Sequence, residues 1–320
     1  MKSIYLEKKS GAESLIEGNL PRPDPKPGEV LIKVHATAVT PTELQWFPTF
    51  NTKSGEPRAF PIVLSHEFSG TVESLGPDAN GFKVGDAVYG LNDWFENGAQ
   101  AEYCVAPASA LARKPASLDH AHAAVAPISA LTAWQGLLTR GGLQRGQRVL
   151  IHGAAGGVGV FAVQLARWRG AYVTATASAS NLEFVRALGA DQVIDYRATP
   201  FENVMCDVDL VFDGVGGKTL ERSWPLLRPG GKMVTIAAES DKSSEQRVRD
   251  AFMLVEADGS QLAELGKLID SGVLRVFVAE AFPLSKAVEA YARASEGKLR
   301  GKIALNVVEE QASGLLVGKA

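Results

Sequence analysis

The residues with the clearest chemical meaning lie between Val149 and Gly170. Arg148-Val-Leu-Ile-His152 is an apolar run of strand length. Gly153-Ala-Ala-Gly-Gly-Val-Gly159 is a cluster of small residues, and apolar side chains follow at helical spacing at Val158, Phe161, Ala162, Leu165 and Ala166. Strand, tight turn and helix form the frame that a dinucleotide fingerprint requires. The fingerprint G-x-G-x-x-G stands here as Ala154-x-Gly156-x-x-Gly159. Ala154 permits the sharp turn, Gly156 lets the backbone approach a pyrophosphate, and Gly159 lets the helix lie close to the strand. The helix N-terminus then offers free N–H groups and a positive dipole end to the phosphates. The alternative is a glycine-rich turn in an α/β protein with no ligand.

Other reactive side chains are sparse. The two cysteines, Cys104 and Cys206, are far apart and form no C-x-x-C pair, which excludes a disulfide framework and argues against a thiolate zinc cluster. Both read as packing residues, and a reducing, cytoplasmic setting is expected. His120 and His122 are two residues apart, so one helix face cannot present both to a metal. His35 lies within a strand and reads as a core or surface histidine.

The 320 residues allow two domains of ordinary size. Hydrophobic content of 46% and charged content of 22% are those of a globular protein. A net charge of −3 provides no basic face for nucleic acid and no polybasic patch for a membrane. No apolar run approaches a membrane span. Charges at Glu7, Lys8 and Lys9 leave no signal-peptide core.

The elements that must position the glycine loop fall into three zones. Residues 1–122 carry short strands between Gly and Pro punctuation, at Val30–Ala36, Phe68–Leu75, Ala87–Gly90 and Ala101–Ala106, and suggest a compact β-barrel-like domain. Ala121–Leu138 reads as a buried helix broken at Pro127. Strands at Ala171–Thr176, Gln192–Ile194, Val208–Phe212 and Met233–Ala237 then alternate with helices at Asn181–Leu188 and Lys218–Leu227, and Arg228–Lys232 reads as a turn. That alternation implies a parallel sheet covered on both faces, with its ligand crevice at the carboxyl ends of the strands. Toward the end, Val276–Pro283 is extended, Ser285 is expected to cap a helix that Gly297 ends, and Lys302–Val308 is a last strand. That strand is expected to pair with the first domain, so that residues 123–274 form an inserted cofactor domain and residues 1–122 and 275–320 form the other. Residues after Glu309 read as a loose tail.

An ordered set of motifs adds to this reading: Pro27-Gly-Glu-Val-Leu-Ile-Lys-Val, Gly81-Phe-Lys-Val-Gly-Asp-Ala-Val, Leu131-Thr-Ala, His152-Gly-Ala-Ala-Gly-Gly-Val-Gly, Leu188-Gly-Ala-Asp, Val211-Phe-Asp-Gly-Val-Gly-Gly, Arg228-Pro-Gly-Gly-Lys and Arg300-Gly-Lys-Ile. Over nearly its whole length the chain resembles the medium-chain dehydrogenase/reductase superfamily, and within it the zinc-free quinone oxidoreductase and alkenal/enone reductase branch. The resemblance implies an α/β protein with a GroES-like β-barrel domain, a Rossmann domain with a doubly wound parallel sheet, an interdomain cleft and a homodimer. It also assigns cofactor contacts to Thr132, Gly153, Ala154, Gly156, Gly157, Val158, Gly214, Val215 and Ala237.

Zinc-dependent relatives carry a Cys, a Gly-His-Glu motif and a third ligand where the second domain begins. Here Thr40-Pro-Thr42-Glu43 replaces the Cys motif, Ser65-His66-Glu67 keeps the His and Glu, and the region around Ile128 offers neither Cys nor carboxylate. Catalytic zinc needs three protein ligands and an open position. Only Glu43, His66 and Glu67 are candidates, so no metal is expected. His66 is left with two readings, a polar residue beside the nicotinamide or a hydrogen-bonded structural histidine, and the resemblance favours the first.

The choice of nicotinamide turns on the end of the second strand, about twenty residues past the glycines, where NAD-specific sites hold an acidic residue. Thr176-Ala-Ser178 has none, which favours NADPH. Ser178, Asn181 and Tyr196 resemble the family's 2′-phosphate contacts, Arg197 is the nearest cation in sequence, and Ala179-Ser180 replaces a residue that is basic in many relatives. Ser178 and Asn181 could equally be helix caps. The expected reaction is hydride transfer from NADPH to a small-molecule quinone, enone or enal. Without a metal, these conjugated acceptors are easier than a plain ketone, because the developing charge spreads to an oxygen that hydrogen-bond donors can hold. Thr40 and His66 are the candidate catalytic donors, with Gln45 beside them. Trp46, Phe47, Phe50 and Trp94 are candidate apolar walls, and residues 46–60 read as a loop over the cleft. The alternatives are a zinc-dependent alcohol dehydrogenase with an atypical Glu43/His66/Glu67 site, a non-enzymatic NADPH-binding redox sensor, and an enoyl-thioester reductase.

Overall fold

The computed structural model describes residues 1–308, so the expected tail after Glu309 lies outside the described residues. The chain begins with eight strands: β1 (Lys2–Leu6), β2 (Ile16–Asn19), β3 (Glu29–Ala38), β4 (Ile62–Val63), β5 (Glu67–Leu75), β6 (Ala87–Leu91), β7 (Tyr103–Pro107) and β8 (Leu111–Arg113), with a short α-helical turn, α1 (Phe47–Phe50), among 3-10 turns. β3 is the hub, pairing antiparallel with both β5 and β7. Its β-branched residues Val30, Ile32 and Val34 point into one core with Phe68, Val72 and Val88, all almost wholly buried. Each such burial contributes roughly 1.5–3 kcal/mol. A separate three-stranded sheet, β2-β1-β4, was not evident from the sequence.

The chain then passes through α2 (His120–Ala124) and α3 (Pro127–Trp134), with the break at Pro127 as expected and Pro127 opening the second helix. A π-helical turn, Gln135–Arg140, completes this segment. The second sheet holds β9 (Arg148–His152), β10 (Tyr172–Ala177), β11 (Gln192–Asp195), β12 (Val208–Asp213) and β13 (Leu227–Thr235). Its order is β11-β10-β9-β12-β13, with every neighbouring pair parallel. α4 (Gly157–Trp168), α5 (Leu182–Ala187) and α6 (Gly217–Ser223) make the crossovers. The sheet is covered on both faces. Val149 and Ile151 of β9 join one core with Val160 and Phe161 of α4, whereas Leu150 between them joins another with Val211 and Leu220. From β9 the chain winds outward to β11, then returns to β12 and proceeds the other way. The strand order therefore switches between β9 and β12, where a ligand crevice forms.

After α7 (Gln246–Ala251) and α8 (Gly259–Asp270), β14 (Val278–Pro283), α9 (Ala287–Ser295) and β15 (Lys302–Asn306) lead back to the first sheet. β15 runs antiparallel to β3, pairing Ala304 with Ala38 and Asn306 with Ala36, and β14 pairs with β15. The fold is α/β, with a GroES-like domain and a Rossmann domain.

One local expectation is corrected and another is relocated. Ser285 does not cap α9: the helix is entered through the 3-10 turn Leu284–Lys286, fixed by the buried side chain of Leu284, and no side chain bonds the first turn. Arg228–Lys232 does not precede the strand but lies within β13, where the pairing jumps from Val208–Leu227 to Leu210–Lys232. Residues 228–231 leave the register there, with Gly230 at φ +78°, so the turn interrupts β13 instead of preceding it.

Candidate active site

A cleft of about 660 Å³ opens between the two domains at the carboxyl ends of β9 and β12. On the Rossmann side it is lined by Gly156, Gly157 and Val158 of the glycine loop, Gly214 and Val215 after β12, Ala237 after β13, and Thr132 of α3. Thus seven of the residues assigned as cofactor contacts meet in one cavity. Gly153 and Ala154 do not line it. They form the turn beneath, where Ala154 is fully buried and its N–H points toward the Thr176 carbonyl at 3.4 Å.

The loop's geometry suits a phosphate. No side chain caps α4, so the N–H groups of its first turn are available at the cleft. At Gly159 a Cβ would stand 2.1 Å from the Gly153 carbonyl oxygen, so only glycine allows the helix to pack this close to the turn. The facing loop is held by Asp213, a fully buried carboxylate that accepts N–H bonds from Val215 (3.1 Å) and Gly216 (3.0 Å) and the Thr235 hydroxyl (2.9 Å). Burial pushes the Asp213 carboxyl above its ordinary range, against the pull of those donors. The residues present fit a dinucleotide.

The expected 2′-phosphate contacts lie outside the cleft lining. Ser178 and Asn181 follow β10, and Tyr196 and Arg197 follow β11. Neither Ser178 nor Asn181 caps a helix with its side chain. Instead the Asn181 amide donates to the Ser178 hydroxyl at 3.3 Å. Arg197 lies over the ring of its neighbour Tyr196, 5.6 Å from the centroid. One residue on this turn was not anticipated: Arg300, whose guanidinium donates to Asn181 Oδ1 at 2.8 Å and to the Ser180 carbonyl at 2.7 Å. The pairs are 119 and 120 positions apart, so no local pattern could have announced them.

The GroES-like domain supplies the opposite wall through Thr40, Gln45, Trp46, Phe47 and Pro48. Thr40 is 8% exposed, and its Oγ1 is buried without a hydrogen-bond partner. An unsatisfied buried hydroxyl is costly unless a ligand completes it. Trp46 packs edge-on against Trp94, 5.2 Å between centroids, so Trp94 supports the wall from behind. Phe50 is corrected: it belongs to a separate core with Ile4, Leu6 and Ile62, and contributes no wall.

His66 is also corrected as a donor to the acceptor. It is 1% exposed and absent from the cleft lining. Its Nδ1 lies 2.6 Å from Glu43 Oε1 and its Nε2 3.0 Å from the Glu96 carbonyl, so both ring nitrogens are engaged. Glu43 additionally accepts the Ser65 N–H at 3.1 Å. Glu67 turns elsewhere, accepting the Ile128 N–H at 2.9 Å and bonding Lys302. Burial pushes the Glu67 carboxyl up, although Lys302 and the Ile128 N–H pull the other way. Of the three side chains considered as metal ligands, Glu43 and His66 are spent on each other and on protein partners, and Glu67 is directed away to Ile128 and Lys302, so the three do not face one common point. Among the described residues no three His, Cys, Asp or Glu side chains assemble as metal donors. This donor set does not fit a catalytic zinc.

Cys104 is buried in β7, where burial pushes its thiol up to about 12, and Cys206 is exposed. His35 and His120 stack on one another at 4.1 Å, away from the cleft lining. Among the described residues no helix is long and apolar enough to cross a membrane.

Two family models match the chain: the alcohol dehydrogenase GroES-like domain over residues 26–116 and zinc-binding dehydrogenase over residues 188–305. Among curated proteins, the chain is similar to NAD(P)H oxidoreductase RTN4IP1, mitochondrial, of Danio rerio, with 32% identity covering 89% of this chain and 85% of that protein. It is also similar to 2-methylene-furan-3-one reductase of Solanum lycopersicum, with 31% identity covering 92% of this chain and 75% of that protein. Among solved structures, the quinone oxidoreductase from Coxiella burnetii superposes with a TM-score of 0.87 at 32% identity, covering 96% of this chain and 99% of that one.

Proposed function

We propose that this chain, which belongs to the medium-chain dehydrogenase/reductase superfamily, reduces a quinone or an α,β-unsaturated carbonyl with NADPH and without zinc. The observation that carries the reading is the unpartnered Thr40 hydroxyl, buried in the same cleft as the glycine loop. NADPH, when bound, supplies the hydride. The chain's own part is to hold, orient and exclude water. Gly156, Gly157 and Val158 cradle the pyrophosphate at the N-terminus of α4, Gly153 and Ala154 shape the turn, and Thr132, Gly214, Val215 and Ala237 border the nicotinamide end. Residues 123–274 act as the cofactor domain, and the flanking segments bring the acceptor's wall.

Thr40 Oγ1 donates a hydrogen bond to the acceptor oxygen, which gains negative charge as the β-carbon of an enone, or a quinone ring, is reduced. His66 acts behind it as a positioning residue. By linking Glu43 to the Glu96 carbonyl it fixes the segment that presents Thr40. Trp46 and Phe47 give the acceptor an apolar face and exclude water.

The test is NADPH oxidation by zinc-checked protein with 1,4-benzoquinone and with a short 2-alkenal. Turnover at zinc well below one equivalent is expected. Thr40→Val should lower kcat/KM roughly 10²-fold while the Kd of NADPH stays unchanged. Activity that rises and falls with zinc content would overturn the metal-free reading, and binding without turnover of any acceptor would favour a redox sensor.

A further inference from the structure

We infer that Arg300 is the cation for the 2′-phosphate of the dinucleotide, supplied across the domain boundary by the turn that leads into β15. The inference rests on the NADPH reading and deepens it. The loop after β10, Ser178-Ala-Ser-Asn181, contains no charged residue, so the loop cannot neutralise a phosphate by itself. Arg300 makes good that lack. Its Nε and Nη2 bond Asn181 Oδ1 and the Ser180 carbonyl at 2.8 and 2.7 Å, and its guanidinium lies over the Phe184 ring, 5.0 Å from the centroid.

A guanidinium has five donors, and these bonds use two of them. Among the described residues it pairs with no carboxylate. The Ser178 hydroxyl, 3.2 Å from the Ser180 hydroxyl and 3.3 Å from the Asn181 amide, completes a group of neutral donors beside one permanent charge. That combination suits a dianionic phosphate, whereas the 2′-hydroxyl of NADH carries no charge for the guanidinium to pair with.

The backbone keeps Arg300 in place. Gly301 bridges Gly156 of the glycine loop and donates its N–H to the Ala155 carbonyl at 3.3 Å. Its φ of +88° and the 2.1 Å that a Cβ would leave to the Phe277 carbonyl oxygen make glycine necessary there. The next residue, Lys302, is tied to Glu67. Arg197, the cation nearest in sequence, is a weaker candidate. Its guanidinium lies over Tyr196 at the neighbouring strand end, and the adjacent Asp195, whose carboxylate accepts the Arg197 backbone N–H at 3.0 Å, puts a negative charge on the same turn.

The experiment measures Kd by calorimetry for NADPH, NADH and 2′,5′-ADP on the full chain, Arg300→Met and Arg197→Met. Methionine keeps the apolar stem against Phe184 and removes the charge. For Arg300→Met, Kd for NADPH and 2′,5′-ADP should rise about 10- to 100-fold, as losing a charge-assisted pair predicts, while Kd for NADH changes less than about twofold. Arg197→Met should leave all three within about twofold. If Arg300→Met does not fold, Arg300→Lys is read in its place. It retains charge without the fork, and the same selective loss is expected at smaller size. Equal weakening of NADPH and NADH, no weakening of either, or a selective loss in Arg197→Met instead would overturn the assignment. Wild-type protein that binds NADH as tightly as NADPH would overturn the NADPH reading itself. Preference kept by Arg300→Met would overturn only the role of Arg300.

Discussion

Directly before the glycine loop, His152 is wedged between two hydroxyls, with Nδ1 3.0 Å from Thr176 Oγ1 and Nε2 2.9 Å from Ser223 Oγ. Burial holds its pKa down at about 3, so the folded chain keeps this imidazole neutral, whereas in the unfolded chain it takes a proton near pH 6.5. The unfolded state therefore binds more protons between those values. The contribution of His152 is fully present above pH 6.5 and is lost progressively as the pH falls toward 3. Urea denaturation should show a lower midpoint at pH 5 than at pH 7.5, and His152→Gln should narrow that difference. At this scale sequence reading has its sharpest limits. Thr40, Gly156 and Gly157 line one cleft, and their place in the chain already pointed there. Nothing in Ser65-His66-Glu67 reveals that Glu43 and Glu96 occupy both nitrogens of His66. Nothing near Ser178 reveals Arg300. Side-chain destinations set by tertiary packing leave no local trace.

The element that matters most is the β9–α4 unit. Helix α4 can approach β9 only because position 159 has no Cβ. Gly159→Ala should force the helix away from the turn and destabilise the fold by roughly 1–3 kcal/mol, as overpacking does, measured by urea denaturation. The same variant should weaken NADPH binding, because the N–H groups at the start of α4 move with the helix. Elements of this kind are legible in a sequence: alternation or a short apolar run marks a strand, a 3.6-residue repeat marks a helix, and Pro127 marks a break. Ends are harder to place. Ser285 has the side chain of a cap, but the buried Leu284 fixes a 3-10 turn there and the hydroxyl is passed over. The Arg228–Lys232 segment has the composition of a turn, and only its pairing with β12 shows that the turn interrupts a single strand, β13.

For the whole molecule, the two thiols report on integrity of the GroES-like core. Cys104 is sealed among Val30, Ile32 and Phe68, whereas Cys206 is exposed on the Rossmann domain. Native protein should react with an aromatic disulfide reagent at one thiol, and unfolded protein at two. Cys206→Ser should leave the native protein unreactive. A second fast-reacting thiol in the native state would contradict the sealed core. The two-domain plan is legible in outline from the change after residue 122, where short strands between Gly and Pro give way to alternating strands and helices, and from a final strand that follows the last of them. The three-stranded sheet was not, because β2 and β4 are short and their pairing with β1 is long-range.

The pairing of β15 with β3 also sets an order of events during synthesis. All five strands of the parallel sheet lie between Arg148 and Thr235, so that sheet has its full complement before β14 leaves the ribosome. The first domain is made earlier but finished later: β3 must wait for Ala304–Asn306, which arrive more than two hundred residues after it. A nascent chain stalled after α8 should therefore carry a protease-resistant Rossmann core and an incomplete barrel that is still cleaved, and release of the remaining segment should protect both together.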